Sequence, residues 1–437
     1  MQVVLPGTFL LLATLVLFGT LYVFFAVSSR YPAFGFAGVL MYSWYSKWMS
    51  ALYQSLVKSY NFETGAITTY NNSSITFLIY NMVMLTGTIL AVIGLQKATT
   101  SQRNIYQITA PSKKYAQIGL LIVFGVMALE WLNIIASGAI ALPGNGVDRA
   151  TYWTKYAKLP LNVVFGELAL FVPLMSLVLL SRYPKWRDKK MYRYIVWAIG
   201  AYFLFLLAYG QRFHGLIIPL LLMLGFVMFK RTSEGKPNIS PKTVATATLY
   251  TALLLLFGLF AISHRGIADS MGGISAFFYR ILVLQGGPVW QATEIASNGP
   301  IGTLSDLFDR SFLTVAVGNT SIIEAYADGG VNLALALPSA VVLVADPLMV
   351  ALVCFLYGLA YGAAMFALWR SMAKGRLFST MVASYVMLWV HSIYGSGTLE
   401  PLLDIKLWLF VFFLLGANAL RSIFAQNAPQ RGGRHAL

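Results

Sequence analysis

Long apolar runs separated by short polar stretches set the rhythm of this chain. The runs lie near 3–28, 33–56, 75–96, 115–139, 161–181, 191–209, 213–229, 243–263, 346–369, 377–394 and 404–421. A helix needs roughly 20 apolar residues, at ~1.5 Å each, to cross a hydrocarbon core about 30 Å thick. Helices also satisfy their own backbone groups where no water is present. The pattern therefore predicts an all-α, polytopic integral membrane protein with about eleven transmembrane helices, within a range of roughly 10–14. Residues 1–437 read as a single transmembrane domain. The 33–56 run is the weakest, because it carries Lys47 and the polar aromatics Tyr42, Trp44, Tyr45 and Trp48. It reads either as a span or as an interfacial segment; in the second case the N-terminus changes sides and one span is lost. The run from Val3 to Ser28 lacks a basic leader region and a small-residue cleavage site, and reads as a retained helix.

Composition sharpens this picture. Hydrophobic residues make up 58% of the chain and charged residues only 11%, with a mean hydropathy of +0.71. A soluble domain of this length carries far more charge. The single cysteine, Cys354, and four scattered histidines offer no disulfide framework and no metal-ligand spacing, so neither a metal nor another cofactor is expected.

The net charge of +16 matters through its placement. Most of the 31 Lys and Arg residues fall in alternate connections: around Lys97–Lys114, Arg182–Arg193, Lys230–Lys242, Arg370–Arg376 and the C-terminal tail. Positive charge in short loops marks the cytoplasmic side, which explains the basic loops without a nucleic-acid partner. Tyr194–Phe229 lies between two such loops. As one helix it would extend roughly 54 Å at ~1.5 Å per residue, nearly twice the membrane. It must form two helices with a turn at Gly210–Gln211, and this turn carries Arg212 and His214 to the outer face. Arg212 there either snorkels to the headgroups or serves a ligand.

One connection, 264–345, is much longer than the others and is read as a large periplasmic loop. It contains Gly272-Gly273, Gly286-Gly287-Pro288 and Gly329-Gly330. Ordered segments of this length between helices are usually functional. Within it, Val331–Val344 is apolar enough either to dip into the bilayer or to form a lip over it. The outer arginines are few and spread over separate connections: Arg149, Arg212, Arg265, Arg280 and Arg310. They fit either convergence on one anionic ligand or ordinary pairing with outer acids. Glu130 and Glu167 fall inside spans, where a carboxylate is costly and faces either an ion partner or a water-filled cavity.

No Walker A, HExxH or GxSxG motif is present, and no matched pair of Gly/Pro-broken helices suggests a secondary transporter. Arginines at the outer mouth of a helical bundle suit phosphate, to which guanidinium offers a planar fork. A departing pyrophosphate gains charge as its bond to carbon breaks, so fixed guanidinium groups would favour that transition state. A general base would complete the chemistry.

Four ordered passages carry a resemblance: DRATYWTKYAKLP with Arg149, YGQRFHGLIIPLLL with Arg212, SAFFYRILVL with Arg280, and GNTSIIEAYADGGVNLAL. Together they resemble the Wzy-type O-antigen polymerases, which polymerise oligosaccharide repeat units of bacterial envelopes. The second span is shorter and weaker than in better-studied members, and the loop arginines do not keep the spacing some members show. The resemblance implies a multi-helix bundle similar to the GT-C and lipid-linked-ligase folds, in the bacterial inner membrane with its site on the periplasmic face. It implies transfer of a growing chain from undecaprenyl pyrophosphate to a sugar hydroxyl of an incoming lipid-linked unit, without metal. Partners would be that lipid-linked oligosaccharide, membrane lipids and a chain-length-regulating membrane protein. On this reading Arg212, Arg265 and Arg280 bind pyrophosphate, with Arg149 and Arg310 in reserve. Glu324 or His264 is the base, and Tyr326, Glu130 and Glu167 line the site. Glu324 is equally open to a role as a helix-terminal carboxylate or as a partner to a loop arginine. An O-antigen ligase of the same fold and a lipid-linked sugar flippase are the alternatives.

Overall fold

The computed structural model describes residues 6–61, 63–99, 108–138, 155–156, 168–208, 213–234, 278–309, 311–320, 323–324 and 335–426. Among them the chain is helical apart from one two-stranded hairpin. The helices are α1 (Gly7–Arg30), α2 (Gly38–Leu56), α3 (Ser73–Thr99), α4 (Lys113–Ser137), α5 (Val172–Arg182), α6 (Lys189–Ala208) and α7 (Phe213–Ser233). They continue with α8 (Gly287–Ala296), α9 (Phe312–Val317), α10 (Leu337–Val342), α11 (Pro347–Ala373), α12 (Leu377–Ser396) and α13 (Ile405–Gln426). Strands β1 (Tyr60–Asn61) and β2 (Ala66–Ile67) pair antiparallel between α2 and α3.

Six of these helices, α1, α3, α4, α6, α11 and α12, are long and apolar enough to cross a membrane. Their outward faces carry bare apolar side chains. Phe18 on α1 is 65% exposed, Leu121 on α4 74% and Leu356 on α11 53%, as expected of surfaces whose solvent is hydrocarbon. Within Tyr194–Phe229, α6 is described to Ala208 and α7 from Phe213; the turn expected at Gly210–Gln211 lies outside the described residues.

Helix ends with basic residues gather at one end of the bundle. Phe229 of α7 stacks edge-on against Trp369 of α11, the Thr109 N–H donates to the Ala373 carbonyl, and Gly119 of α4 packs on Leu377 and Leu179. These contacts align the termini bearing Arg182, Lys230, Arg370 and Lys374.

The tightest seam joins α3 and α11, which run parallel. Gly87 meets the backbone of Phe355, Gly358 that of Met84, and Gly362 that of Thr88. A Cβ at Gly362 would lie 2.6 Å from the Thr88 carbonyl oxygen. Small residues at these positions let the two backbones touch, which is how helices associate where hydrophobicity alone gives no preference.

The weak 33–56 run forms a short 3-10 segment of six residues, Pro32–Ala37, followed by α2. The 3-10 segment is buried throughout, and so is most of α2. Two contacts, Ser43 to His391 and Lys47 to the Gly395 carbonyl, run in step along α2 and α12. Thus α2 stands parallel to α12 within the bundle and does not lie across its end.

Residues 335–344, which include α10, are buried against α8, α11 and α12. This apolar stretch is enclosed by protein on the sides described.

Candidate functional site

The hairpin 60–67 and its flanks organise the end of the bundle opposite the basic one. Its tip turns through Gly65 at φ 67°, a left-handed conformation that glycine adopts without strain. Asn61 is fully buried; its Oδ1 accepts the N–H groups of Glu63 and Thr64, at 2.9 and 3.2 Å. Its Nδ2 donates to the Val283 carbonyl at 3.0 Å. That carbonyl also accepts from Gln54 Nε2 at 2.8 Å.

Val283 belongs to a π-helical turn, Arg280–Leu284, which runs into the start of α8. This turn frees carbonyls from regular helical pairing, and Gln54 and Asn61 take one of them up. π-Turns are rare and cluster at functional positions. The segment is pinned on both sides: Tyr279 Oη donates to the Tyr60 carbonyl at 2.9 Å and the Gly286 N–H to Ser50 Oγ at 2.7 Å. Trp290 Nε1 donates to the Thr69 carbonyl at 2.9 Å. Gly286 and Gly287 must be glycine because any Cβ would strike the α2 backbone and Asn61. Arg280 sits half-buried at the head of this turn.

The hairpin also receives the other end of the long connection. The Asn319 N–H donates to the Glu63 carbonyl at 3.0 Å, and the Ile323 N–H to the Asn319 carbonyl at 3.0 Å. Glu324 directly follows Ile323 and is exposed. The segments bearing Arg280 and Glu324 therefore meet on one hairpin.

Beneath it lies a buried polar cluster with no counterpart in the sequence reading. Lys47 of α2 is 7% exposed. Its Nζ donates to the Gly395 carbonyl at 3.1 Å, and the charge of Glu63 acts on it. One turn away, Ser43 Oγ lies 3.3 Å from His391 Nε2, and Tyr361 Oη lies 3.3 Å from His391 Nδ1. Tyr394 Oη donates to Asn81 Oδ1 at 3.0 Å. A lysine in a weakly apolar run was the only sequence signal. Its α12 partner Gly395 is 348 positions away and Glu63 lies beyond the end of the helix, so neither leaves a local pattern.

Arg149, Glu167, Arg212, His264, Arg265, Arg310 and Tyr326 lie outside the described residues. Glu130 is on α4, 1% exposed, and neither carboxylate oxygen has a hydrogen-bond partner among the described residues. It stands apart from the hairpin cluster in sequence and in its packing, since α4 contacts α5, α6 and α12. Asp306 closes a capping box with Thr303. Asp309 accepts from the Ser311 hydroxyl and N–H, and these bonds hold its carboxyl below the usual range. Among the described residues no three His, Cys, Asp or Glu side chains form a metal-holding group.

Two family models match the sequence. One, described as O-antigen polysaccharide polymerase Wzy, covers residues 2–288. The other, a family of unknown function (DUF6418), covers residues 312–411. No curated protein and no solved structure matches the chain.

Proposed function

The chain belongs to the O-antigen polysaccharide polymerase Wzy family, and from that premise we propose that it extends the polymer on undecaprenyl pyrophosphate, at the periplasmic face of the inner membrane. Membership makes it a multi-pass membrane protein of polysaccharide biosynthesis, a glycosyltransferase-like polymerase of lipid-linked oligosaccharide repeat units. The finer chemistry follows from charge. A sugar hydroxyl of the incoming unit attacks the anomeric carbon that joins the growing chain to undecaprenyl pyrophosphate. A new C–O bond forms there while the bond to phosphate oxygen breaks. The leaving pyrophosphate carries off the electron pair, and the hydroxyl proton passes to a base, Glu324 or His264. Arg280, with Arg149, Arg212, Arg265 and Arg310, holds the departing charge. Such groups favour the transition state over the ground state because the charge they meet is still developing.

The observation that supports this reading is the hairpin 60–67. It bonds both the Arg280-bearing turn, through Tyr60, and the Glu324-bearing segment, through Glu63. Periplasmic orientation rests on the basic residues at the other end of the bundle.

The test is direct. Purified protein incubated with its lipid-linked repeat unit, without added divalent metal, should give a ladder of longer lipid-linked products. Arg280→Ala, inserted normally, should slow ladder formation by roughly 10²–10³-fold, the usual cost of removing one donor to a developing anion. A ladder unchanged by Arg280→Ala would remove that residue from the pyrophosphate site. No ladder from the wild-type protein would remove the polymerase reading.

A further inference from the structure

A cleft of about 720 Å³ opens at the same end of the bundle, between the start of α3, the end of α8 and the start of α11. Small-ligand sites commonly have volumes of roughly 300–1,000 Å³. Two rings, Tyr70 and Tyr80, stand in its lining, and Tyr70 is 76% exposed. Between them are groups that hydrogen-bond but carry no positive charge: Asn71, Thr293, Glu294 and Asp346. Asn71 Nδ2 donates to Glu294 Oε2 at 3.3 Å and lies 3.4 Å from the Trp290 carbonyl, which fixes the amide across the cleft. The α11 cap occupies Asp346 Oδ1 alone, through the N–H groups of Leu348 and Met349. Among the described residues, no lysine or arginine lines the cleft.

Charge decides what such a cleft accepts. A phosphate would meet two carboxylates and no cation, an arrangement that repels it. An uncharged ligand rich in hydroxyls would find carboxylate oxygens as acceptors and ring faces for its C–H surfaces. We propose that this cleft seats the saccharide part of the lipid-linked substrate, a run of neutral sugar rings, separately from its pyrophosphate. The proposal rests on the polymerase reading above and deepens it. The π-turn and α8 (Gly287–Ala296) lead from Arg280 to Glu294, fourteen residues on, so the two stations stand on the order of 20 Å apart at ~1.5 Å per residue. An extended lipid-linked oligosaccharide could engage both at once.

The test uses the full-length protein in nanodiscs and the repeat-unit oligosaccharide freed of lipid and pyrophosphate by mild acid. Binding is followed by saturation-transfer NMR and titration. Tyr70→Ala and Glu294→Gln should each weaken binding about tenfold or more, equivalent to ~1.4 kcal/mol. Tyr70→Phe, which keeps the ring, should bind as wild type. Inorganic pyrophosphate should not compete, and Arg280→Ala should bind the free oligosaccharide normally while building the ladder roughly 10²–10³-fold more slowly. Wild-type affinity in both cleft variants, competition by pyrophosphate, or no binding by a wild-type protein that does polymerise would each overturn the proposal. Oligosaccharide binding through Tyr70 and Glu294 in a protein that makes no ladder would keep the cleft as a saccharide site and reject polymerisation.

Discussion

Lys47 stays in the protein interior because a carbonyl and a carboxylate share its charge. Removing one member of a buried ion pair costs ~3–5 kcal/mol, chiefly because the other is left uncompensated. Glu63 is half-exposed, so Lys47→Met should cost less than that range, about 2–3 kcal/mol. In thermal unfolding of the detergent-solubilised protein, Lys47→Met with Glu63→Gln should be less damaged than Lys47→Met alone. Equal losses in the two variants would show that Glu63 contributes nothing to holding the amine. Glu130 presents the opposite case, a buried carboxyl without a hydrogen-bond partner among the described residues. Glu130→Gln keeps its shape and removes the cost of burying a carboxylate. The variant should accumulate in the membrane and resist heat at least as well as wild type. A lower melting temperature would mean that the carboxyl is satisfied in a way the described residues do not reveal.

At the level of elements, the helices were readable and their assembly was not. Long apolar runs gave α1, α3, α4, α6, α11 and α12 to within a few residues, because lipid demands apolar side chains wherever it touches. The 33–56 run looked weak for the same reason: α2 is surrounded by protein, so Ser50, Gln54 and Lys47 can pair with other side chains and backbone. The π-turn at Arg280 depends on hydrogen bonds to Gln54 and Asn61, more than 200 positions away, and no local pattern records them. Arg280 stands out in the sequence as an outer arginine and Glu324 through the family resemblance, but the meeting of their segments on one hairpin, through Tyr279 and Asn319, is not foreseeable. That docking is open to test at Gly286. Gly286→Ala forces a Cβ into the α2 backbone, which should release the turn from Ser50 and abolish polymer formation in cells. The protein should still insert, since α8 is not among the long apolar helices. Normal polymer length from Gly286→Ala would separate the docked turn from the activity.

For the whole molecule, the charge pattern assigns a side to every connection. Cys354 is buried and is the sole cysteine, so a Cys354→Ala background suits accessibility mapping. Cysteines placed at Lys185 and at Ser297 should react from opposite faces of the membrane, the first only with permeant reagent in intact cells. Labelling of both from one face would overturn the topology. The parallel seam of α3 and α11 bears on something else, the order in which a ribosome delivers this protein. Helix α3 enters the bilayer early, yet the partner its bare backbone at Gly87 requires is encoded some 250 positions later. Throughout that interval the nascent chain holds an unfinished surface, so synthesis halted before α11 should leave a fragment that membrane proteases remove.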